Sequence, residues 1–207
     1  MIHIRSAEYV IFDVETTGLS ARDGDRILEI AAVKTKNFKI IDRFESLVNP
    51  QRSLSQEVVE IHGISEDILK NAPAADEVLP RMIDFIGGAC LVGHNVRFDL
   101  GFLCYELAGA GRKLRQDTPV LDTLKLAKDL LPYLSSYRLS SVALALGIIV
   151  QETHRAMADV ELTATVYERL VAIAADRELV DLHKFLEQFG VEKPAFALPQ
   201  ASQGMLF

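Results

Sequence analysis

Four carboxylates and one histidine in this sequence have the types and spacing needed for chemistry on a phosphate ester. Asp13 and Glu15 lie two residues apart, Asp99 closes a Gly-His-Asn-containing segment, and Asp159 lies five residues after His154. Carboxylate oxygens are the ligands that Mg²⁺ and Mn²⁺ prefer, and two such ions held together can stabilise the attacking and leaving oxygens of a phosphoryl transfer. A histidine has a pKa near neutrality and can accept the proton of an attacking water. The combination favours a metal-dependent phosphoryl-transfer site.

Each of these residues also has an ordinary structural explanation when it is taken alone. Asp13 suits a turn at a strand end, and Glu15 suits an exposed edge strand. Asp99 suits the first turn of a helix, where the helix dipole favours a negative charge. Asp159 suits a solvated helix face, and His154 suits a polar loop. Only the combination, in this order along the chain, favours the catalytic interpretation.

Three predicted strands come first and must position the first carboxylate pair. Residues 9–15, 26–36 and 38–48 are rich in β-branched and aromatic side chains, and Asn37 is a candidate turn between the last two strands. Because side chains alternate along a strand, Asp13 and Glu15 point to the same face. Three consecutive strands indicate an antiparallel meander at the start of the chain.

Helices and short strands alternate in the rest of the chain. Asp99 lies at a strand–helix junction, which is where α/β sheets bind ligands. The pattern indicates an α/β fold with a mixed sheet. The predicted strands are residues 90–94 and 119–122, and the predicted helices are residues 55–61, 65–69, 76–86, 98–107, 123–131, 140–146, 156–175 and 179–189.

The composition is that of a globular protein, with 207 residues, 49% of them hydrophobic and 25% charged. The net charge of −7 disfavours a protein that coats duplex nucleic acid, although carboxylates that hold cations add formal negative charge. Cys90 and Cys104 form no metal-binding pair and are expected to be reduced and buried. The sequence shows no signal-peptide pattern and no apolar run of membrane-spanning length, so we expect a cytoplasmic protein with no membrane partner.

Three segments resemble a known family of nucleases. Residues 13–18 (DVETTG), 93–99 (GHNVRFD) and 154–159 (HRAMAD) resemble the three motifs of the DEDDh (DnaQ-like) 3′→5′ exonucleases, a family that includes the proofreading epsilon subunit of bacterial DNA polymerase III. All three motifs are intact and occur in the family order. A histidine five residues before the last aspartate is typical of the histidine branch, whereas the tyrosine branch would carry tyrosine at the position of Arg155.

The resemblance implies a ribonuclease H-like fold, with a mixed five-stranded sheet flanked by helices. It implies that Asp13, Glu15, Asp99 and Asp159 hold two Mg²⁺ or Mn²⁺ ions and that His154 is the general base. The expected reaction releases nucleoside 5′-monophosphates from the 3′ end of a nucleic acid, in proofreading or repair. Single-stranded DNA is the expected substrate.

The resemblance also suggests which residues contact the terminal nucleotide. Residues 62–64 (HGI) match a family segment whose histidine contacts that nucleotide in epsilon-like members, together with a glutamate five positions earlier. Structural alternatives stay open for Phe98, as a core aromatic residue, and for Glu57, as a plain surface charge. The expected substrate-binding residues are Thr16, Thr17, Glu57, His62, Asn95 and Phe98.

The composition changes after Gly190, where prolines, a serine and a glycine indicate a flexible tail. We therefore expect an exonuclease domain at residues 1–190 and a tail at residues 191–207. The tail contains QGMLF at residues 203–207, which resembles the bacterial sliding-clamp-binding pentapeptide, with Gln203, Leu206 and Phe207 as the expected contacts. Two alternatives stay open: a tail folded back on its own domain, and a segment without a partner.

Two other functions remain alternatives at this point. The first is an RNA-trimming exonuclease of the same family, because the contact that would recognise a 2′-hydroxyl is not apparent in the sequence. The second is a non-catalytic subunit that bridges a sliding clamp and a polymerase. The intact acidic and histidine motifs favour an enzyme. The sequence does not distinguish a DNA polymerase III subunit from a stand-alone nuclease.

Overall fold

The apolar segment around Asp13 forms the central strand of a five-stranded mixed sheet. The computed structural model describes residues 2–150 and 155–196. The sheet order is β3-β2-β1-β4-β5; β1, β2 and β3 are antiparallel neighbours, whereas β4 and β5 run parallel to β1. The strands are β1 Glu8–Thr16, β2 Ile27–Lys36, β3 Lys39–Leu47, β4 Cys90–Gly93 and β5 Val120–Asp122.

The helices of the described ranges lie between and after these strands. Polar side chains cap several of them: Ser55, for example, accepts a hydrogen bond from Val58 N–H at the start of the first helix. The helices are α1 Gln56–His62, α2 Glu66–Leu69, α3 Ala75–Ile86, α4 Arg97–Gly109, α5 Thr123–Leu130, α6 Leu139–Ala145, α7 Ala156–Asp176 and α8 Leu182–Phe189.

Helices cover both faces of the sheet because successive side chains of the central strand are apolar on both sides. Tyr9 and Ile11 of β1 pack in one core with α5, α6, α7 and α8. Val10 and Phe12 pack in a second core with α3 and α4. Because side chains alternate, Asp13 continues the series of Tyr9 and Ile11 and faces the layer that contains α7.

The α/β class and the mixed five-stranded sheet expected from the sequence are confirmed, and the differences are local. Asn37 forms the expected turn, but Phe38 shares it; both have positive φ (51° and 58°), so β3 begins one residue later than expected. Helix α4 continues through Gly109, which was expected to stop it. A short 3-10 turn at Ala21–Asp23 was not predicted.

Helix α8 begins later than expected because the residues before it contact the start of the chain. Residues 179–181 were expected to be helical, but they pair with the segment that precedes β1. Ile4 N–H donates to Val180 O, and Leu182 N–H donates to Ile2 O, both at 2.9 Å. Helix α8 therefore begins only after Asp181, whose side chain caps it.

The segment after Gly190 packs on the domain as far as the structure describes it. Val191 is buried, and its N–H donates to Val120 O at 2.9 Å. Lys193 Nζ donates to Gln116 O at 3.0 Å, and the Phe196 ring meets the Tyr105 ring at 5.3 Å. Val191, Lys193 and Phe196 thus contact the domain through partners that composition alone does not reveal, and the boundary at residue 190 stays a prediction.

Within residues 2–150 and 155–196, none of the helices combines the length and apolarity needed to cross a membrane. Cys90 is buried, Cys104 is half-buried, and both are free thiols.

Candidate active site

The end of β1 presents Asp13 and Glu15 on the face of the sheet that α7 covers. In the antiparallel register, Asp13 lies opposite Ala31 and Glu15 lies opposite Glu29 of β2. Both side chains are partly buried. The apolar residues that precede them make β1 a central strand, so two carboxylates are placed at the edge of the core, where charge is costly without compensation.

Helix α7 adds a third carboxylate to this pair. Asp159 lies in its first turn, and one carboxylate oxygen from each of Asp13, Glu15 and Asp159 lies within 4.8 Å of the other two. Residues 13 and 159 are brought together because α7 packs directly on β1 and β2. These oxygens suit a hard divalent cation, which takes oxygen ligands.

Asp99 contacts β1 from helix α4 and is not part of the cluster formed by Asp13, Glu15 and Asp159. It lies in the first turn of α4, is only 4% exposed, and accepts a hydrogen bond from Val14 N–H at 3.2 Å. Gly93 permits this approach, because a Cβ there would overlap the Val96 side chain at the start of the helix. Asp99 is thereby fixed beside β1.

Crowding of negative charge dominates the electrostatics of the site. Burial, followed by the charges of Asp99 and Glu15, holds the pKa of Asp13 well above its usual range. Burial, followed by the charge of Asp159, raises the pKa of Glu15 to about 7. Burial raises the pKa of Asp99 to about 8 against the opposing effect of the Val14 N–H hydrogen bond. A bound cation would relieve this repulsion, so the donor set and its charge both fit a divalent metal.

His94, in the second of the three motifs, is held by hydrogen bonds within the fold. Its two ring nitrogens meet Thr123 Oγ1 and Tyr137 O, each at 2.8 Å, and burial lowers its pKa. Both nitrogens are therefore engaged in linking β4 to α5 and the following loop. The next residue, Asn95, has a left-handed backbone (φ 58°), and its N–H donates to Asp122 Oδ1 at 2.9 Å.

The threonines after Glu15 hold the loop that follows β1. Thr16 Oγ1 donates to Gly18 O at 2.6 Å, and Thr17 Oγ1 donates to Asp25 Oδ1 at 3.1 Å. A Cβ at position 18 would overlap the Asp25 carboxylate, so this close approach requires glycine. The loop is thus shaped by Asp25, a residue that the sequence analysis did not single out.

The remaining predicted nucleotide contacts occupy different environments. Glu57 is exposed in the first turn of α1, and His62 is 5% exposed at the end of that helix, where its Nδ1 accepts from Ile64 N–H at 3.4 Å. Phe98 is partly buried and its ring lies 5.1 Å from that of Phe102. The Asn95 side chain is exposed. Their roles in substrate binding stay predictions.

Four predicted residues lie outside the described residues. They are the expected general base His154 and the expected clamp contacts Gln203, Leu206 and Phe207.

Sequence reasoning missed an ion pair beside the carboxylate cluster. Glu29 of β2 is completely buried and binds the Arg155 side chain at the start of α7. The available signal was a glutamate within the otherwise apolar run of residues 27–33. Such a charge needs a partner, but the sequence does not show which cation supplies it.

Comparison with known proteins identifies the class of this chain. The Exonuclease family model (RNase_T) matches residues 10–167. Exonuclease X, solved in complex with 5′-overhanging duplex DNA, superposes with a TM-score of 0.67 at 27% identity, covering 87% of this chain and 96% of that one. The nuclease domain of 3′hExo, a DEDDh family member solved with rAMP, gives a TM-score of 0.72 over 93% of this chain and 100% of that one, and at 19% identity it shows the fold alone. The chain belongs to the exonuclease family, and it has a ribonuclease H-like fold.

A curated relative gives a more particular relationship. The DNA polymerase III PolC-type protein of Clostridium perfringens is 37% identical over 193 residues, which is 90% of this chain but 13% of that protein. The chain therefore spans about an eighth of that relative's length. The chain is thus an exonuclease-family domain related to DNA polymerase III PolC-type proteins, and its acidic cluster fits a divalent metal ion.

Proposed function

We propose that this protein is a 3′→5′ exonuclease that releases nucleoside 5′-monophosphates from DNA 3′ ends with two Mg²⁺ or Mn²⁺ ions, in proofreading or repair. The observation that carries the proposal is the convergence of the Asp13, Glu15 and Asp159 oxygens within 4.8 Å in a chain of the exonuclease family. Asp99 of α4 is held beside β1 by the hydrogen bond from Val14 N–H. A cytoplasmic location and a nucleic-acid partner are parts of the same proposal.

The roles of the residues follow from their chemistry. Two cations held by the four carboxylates would stabilise the charge on the attacking and leaving oxygens. His154, five residues before Asp159 in the chain, is proposed to take the proton of the attacking water, since a histidine can accept a proton near neutral pH. The loop fixed by Thr16 and Thr17 follows the carboxylates directly and is proposed to border the bound nucleotide.

A ladder assay on 5′-labelled oligonucleotides tests this function. Matched single-stranded DNA and RNA oligomers are incubated with Mg²⁺, Mn²⁺ or EDTA, using wild type, Asp13→Ala and His154→Ala. We expect one-nucleotide ladders on DNA that need the metal and fall by a factor of about 10² or more in both variants. Near-wild-type cleavage by either variant would reject the assigned roles. Laddering on RNA alone would show that the substrate is RNA and not DNA. Cleavage of neither polymer would favour the non-catalytic bridging subunit.

We also propose that residues 203–207 bind a sliding clamp and that the chain acts with DNA polymerase III. The support is the QGMLF sequence together with the relationship to DNA polymerase III PolC-type proteins. Deleting residues 203–207 should abolish co-elution with a purified bacterial clamp, while nuclease activity on a short oligonucleotide stays intact. Unchanged co-elution would exclude the clamp assignment without affecting the nuclease proposal. Gel filtration with a replicative polymerase tests the polymerase partnership separately.

A further inference from the structure

Glu29 is an acidic side chain with no exposed surface, and it lies beside the carboxylate cluster. It is the third residue of β2 and lies opposite Glu15 of β1 in the antiparallel register. Residues directly opposite one another project to the same face of a sheet, so both glutamates face the layer that contains α7. An ionised carboxylate in this position is strongly unfavourable unless it is paired and hydrogen-bonded.

The N-terminus of α7 supplies that pairing. Arg155 Nε donates to both Glu29 carboxylate oxygens at 3.1 Å, and Arg155 Nη2 donates to Oε1. The Ala156 N–H donates to Oε2 at 3.2 Å. Both oxygens of Glu29 are therefore occupied by the start of α7, so Glu29 is a poor candidate for a metal ligand. It is a helix-capping group supplied by a neighbouring strand.

Helix α7 receives its capping acceptor from Glu29 because its own N-cap residue does not supply one. Its N-cap residue, Arg155, makes no side-chain capping hydrogen bond, and the first N–H groups of a helix have no acceptor within the helix. A carboxylate at this end is also favoured by the helix dipole. The Asp159 N–H donates to Arg155 O at 3.4 Å, so Arg155 and Asp159 are linked within the first turn of the helix.

We propose that Glu29 and Arg155 are positioning residues: their ion pair fixes the first turn of α7 so that Asp159 meets Asp13 and Glu15 in the geometry that binds metal. This inference rests on the proposed function. The same contact anchors the residue that directly follows His154 in the chain. Later turns of α7 are held independently, because they are buried in the core between the sheet and α5. Loss of the pair should therefore displace the first turn and leave the helix folded.

The chain offers a matched control on the same helix. Arg43 of β3 and Glu161 of α7 form an ion pair at 3.0 Å whose side chains are 57% and 47% exposed. Glu161→Gln removes one negative charge from a strand–α7 pair, as Glu29→Gln does, but at the surface. Surface pairs of this kind contribute little.

The test compares wild type with Glu29→Gln, Arg155→Gln, Arg155→Lys and Glu161→Gln. For each we would measure kcat and KM on a 5′-labelled DNA oligomer, Mn²⁺ affinity by electron paramagnetic resonance, and Tm in EDTA. In Glu29→Gln and Arg155→Gln we expect kcat and Mn²⁺ affinity to fall by about 10- to 100-fold, as for other groups that orient metal ligands, with KM little changed. Arg155→Lys should recover part of the loss, because lysine keeps the charge but not the two-oxygen contact. Glu161→Gln should match wild type.

The outcomes separate this inference from the proposed function. If kcat and Mn²⁺ affinity stay within about twofold of wild type in Glu29→Gln and Arg155→Gln while only Tm falls, the pair is a stability element and the positioning proposal is wrong. If wild type cleaves no nucleic acid, the proposed function fails, and Mn²⁺ affinity still decides the role of the pair. If Glu29→Gln does not fold, the comparison of Arg155→Gln with Arg155→Lys carries the test, because Arg155 is half-exposed.

Discussion

Replacing Glu15 by glutamine should stabilise the metal-free protein above pH 7 and remove its nuclease activity. Glu15 is partly buried near Asp159 and Glu29, and burial with these two charges raises its pKa from an ordinary value of 4.5 to about 7. Glutamine has nearly the same size but carries no charge, so it removes the repulsion together with one proposed metal ligand. Stability and activity should therefore change in opposite directions.

The magnitude follows from the shift in pKa. A carboxyl group whose pKa is raised on folding binds its proton more tightly in the folded state, so the free energy of unfolding falls as pH rises from about 4.5 to about 7 and stays low above that range. The rise in the Glu15 pKa from 4.5 to about 7 corresponds to at most about 3.4 kcal/mol. Solvent screening of a partly exposed side chain reduces this to about 1–3 kcal/mol, which is an increase in Tm of roughly 3–9 °C for a domain of this size.

Thermal melts in EDTA at about pH 4.5 and about pH 8 measure this effect. The gain in Tm of Glu15→Gln over wild type should be present at the higher pH and nearly vanish at the lower one, where Glu15 is protonated in the folded protein. Glu161→Gln, which removes a half-exposed charge from α7, serves as the control and should shift Tm little at either pH. A Glu15→Gln protein that melts at or below the wild-type temperature at pH 8 would refute the electrostatic reasoning.

Metal binding should be pH-dependent: EDTA should abolish cleavage, and Mn²⁺ affinity should rise from about pH 6 to about pH 8, because protons compete with the cation for carboxylates whose pKa values are raised. Equal affinities in titrations at the two pH values would contradict this. Gly18→Ala should lower Tm and turnover because the added Cβ displaces the Asp25 side chain. Gly109→Ala, whose Cβ meets open space on α4, should raise Tm slightly. Equal Tm values for the two variants would show that the loop after β1 accommodates the Cβ without cost. Phe196→Ala should lower Tm by roughly 2–8 °C through lost packing on Tyr105 without changing turnover, and an unchanged melt would show that this contact contributes nothing.

Features that depend on neighbours in the sequence could be predicted from it. The alternation of side chains places Asp13 and Glu15 on one face, and the apolar run around them identifies a central strand; both expectations match the structure. The order of strands and helices along the chain was sufficient to predict the α/β class and the mixed sheet. The combination of residue types suggested that Asp159 joins the pair on the first strand, the motif resemblance supported this, and the structure places the three carboxylates together.

Features that depend on distant contacts could not be predicted in the same way. The partner of Glu29 is Arg155, 126 residues further along the chain, and the pairing depends on how α7 lies across β2. Residues 179–181 have helical periodicity, but pairing with residues 2–4 is favoured over helix formation. Gly190 and the prolines after it resemble a linker, yet Val191 continues the hydrogen bonding at the sheet edge. In each case tertiary contacts override local propensity.

The distance in sequence between the carboxylates also has a consequence for biosynthesis. The β1–β2–β3 meander involves near neighbours and can form early, but Asp159 is 146 residues after Asp13. At about 5–20 residues per second, synthesis of that interval takes roughly 7–30 s. During this time the nascent chain contains Asp13 and Glu15 but lacks the helix that completes the cluster. The proposed cleavage activity should therefore appear only after α7 docks on the sheet and completes the cluster.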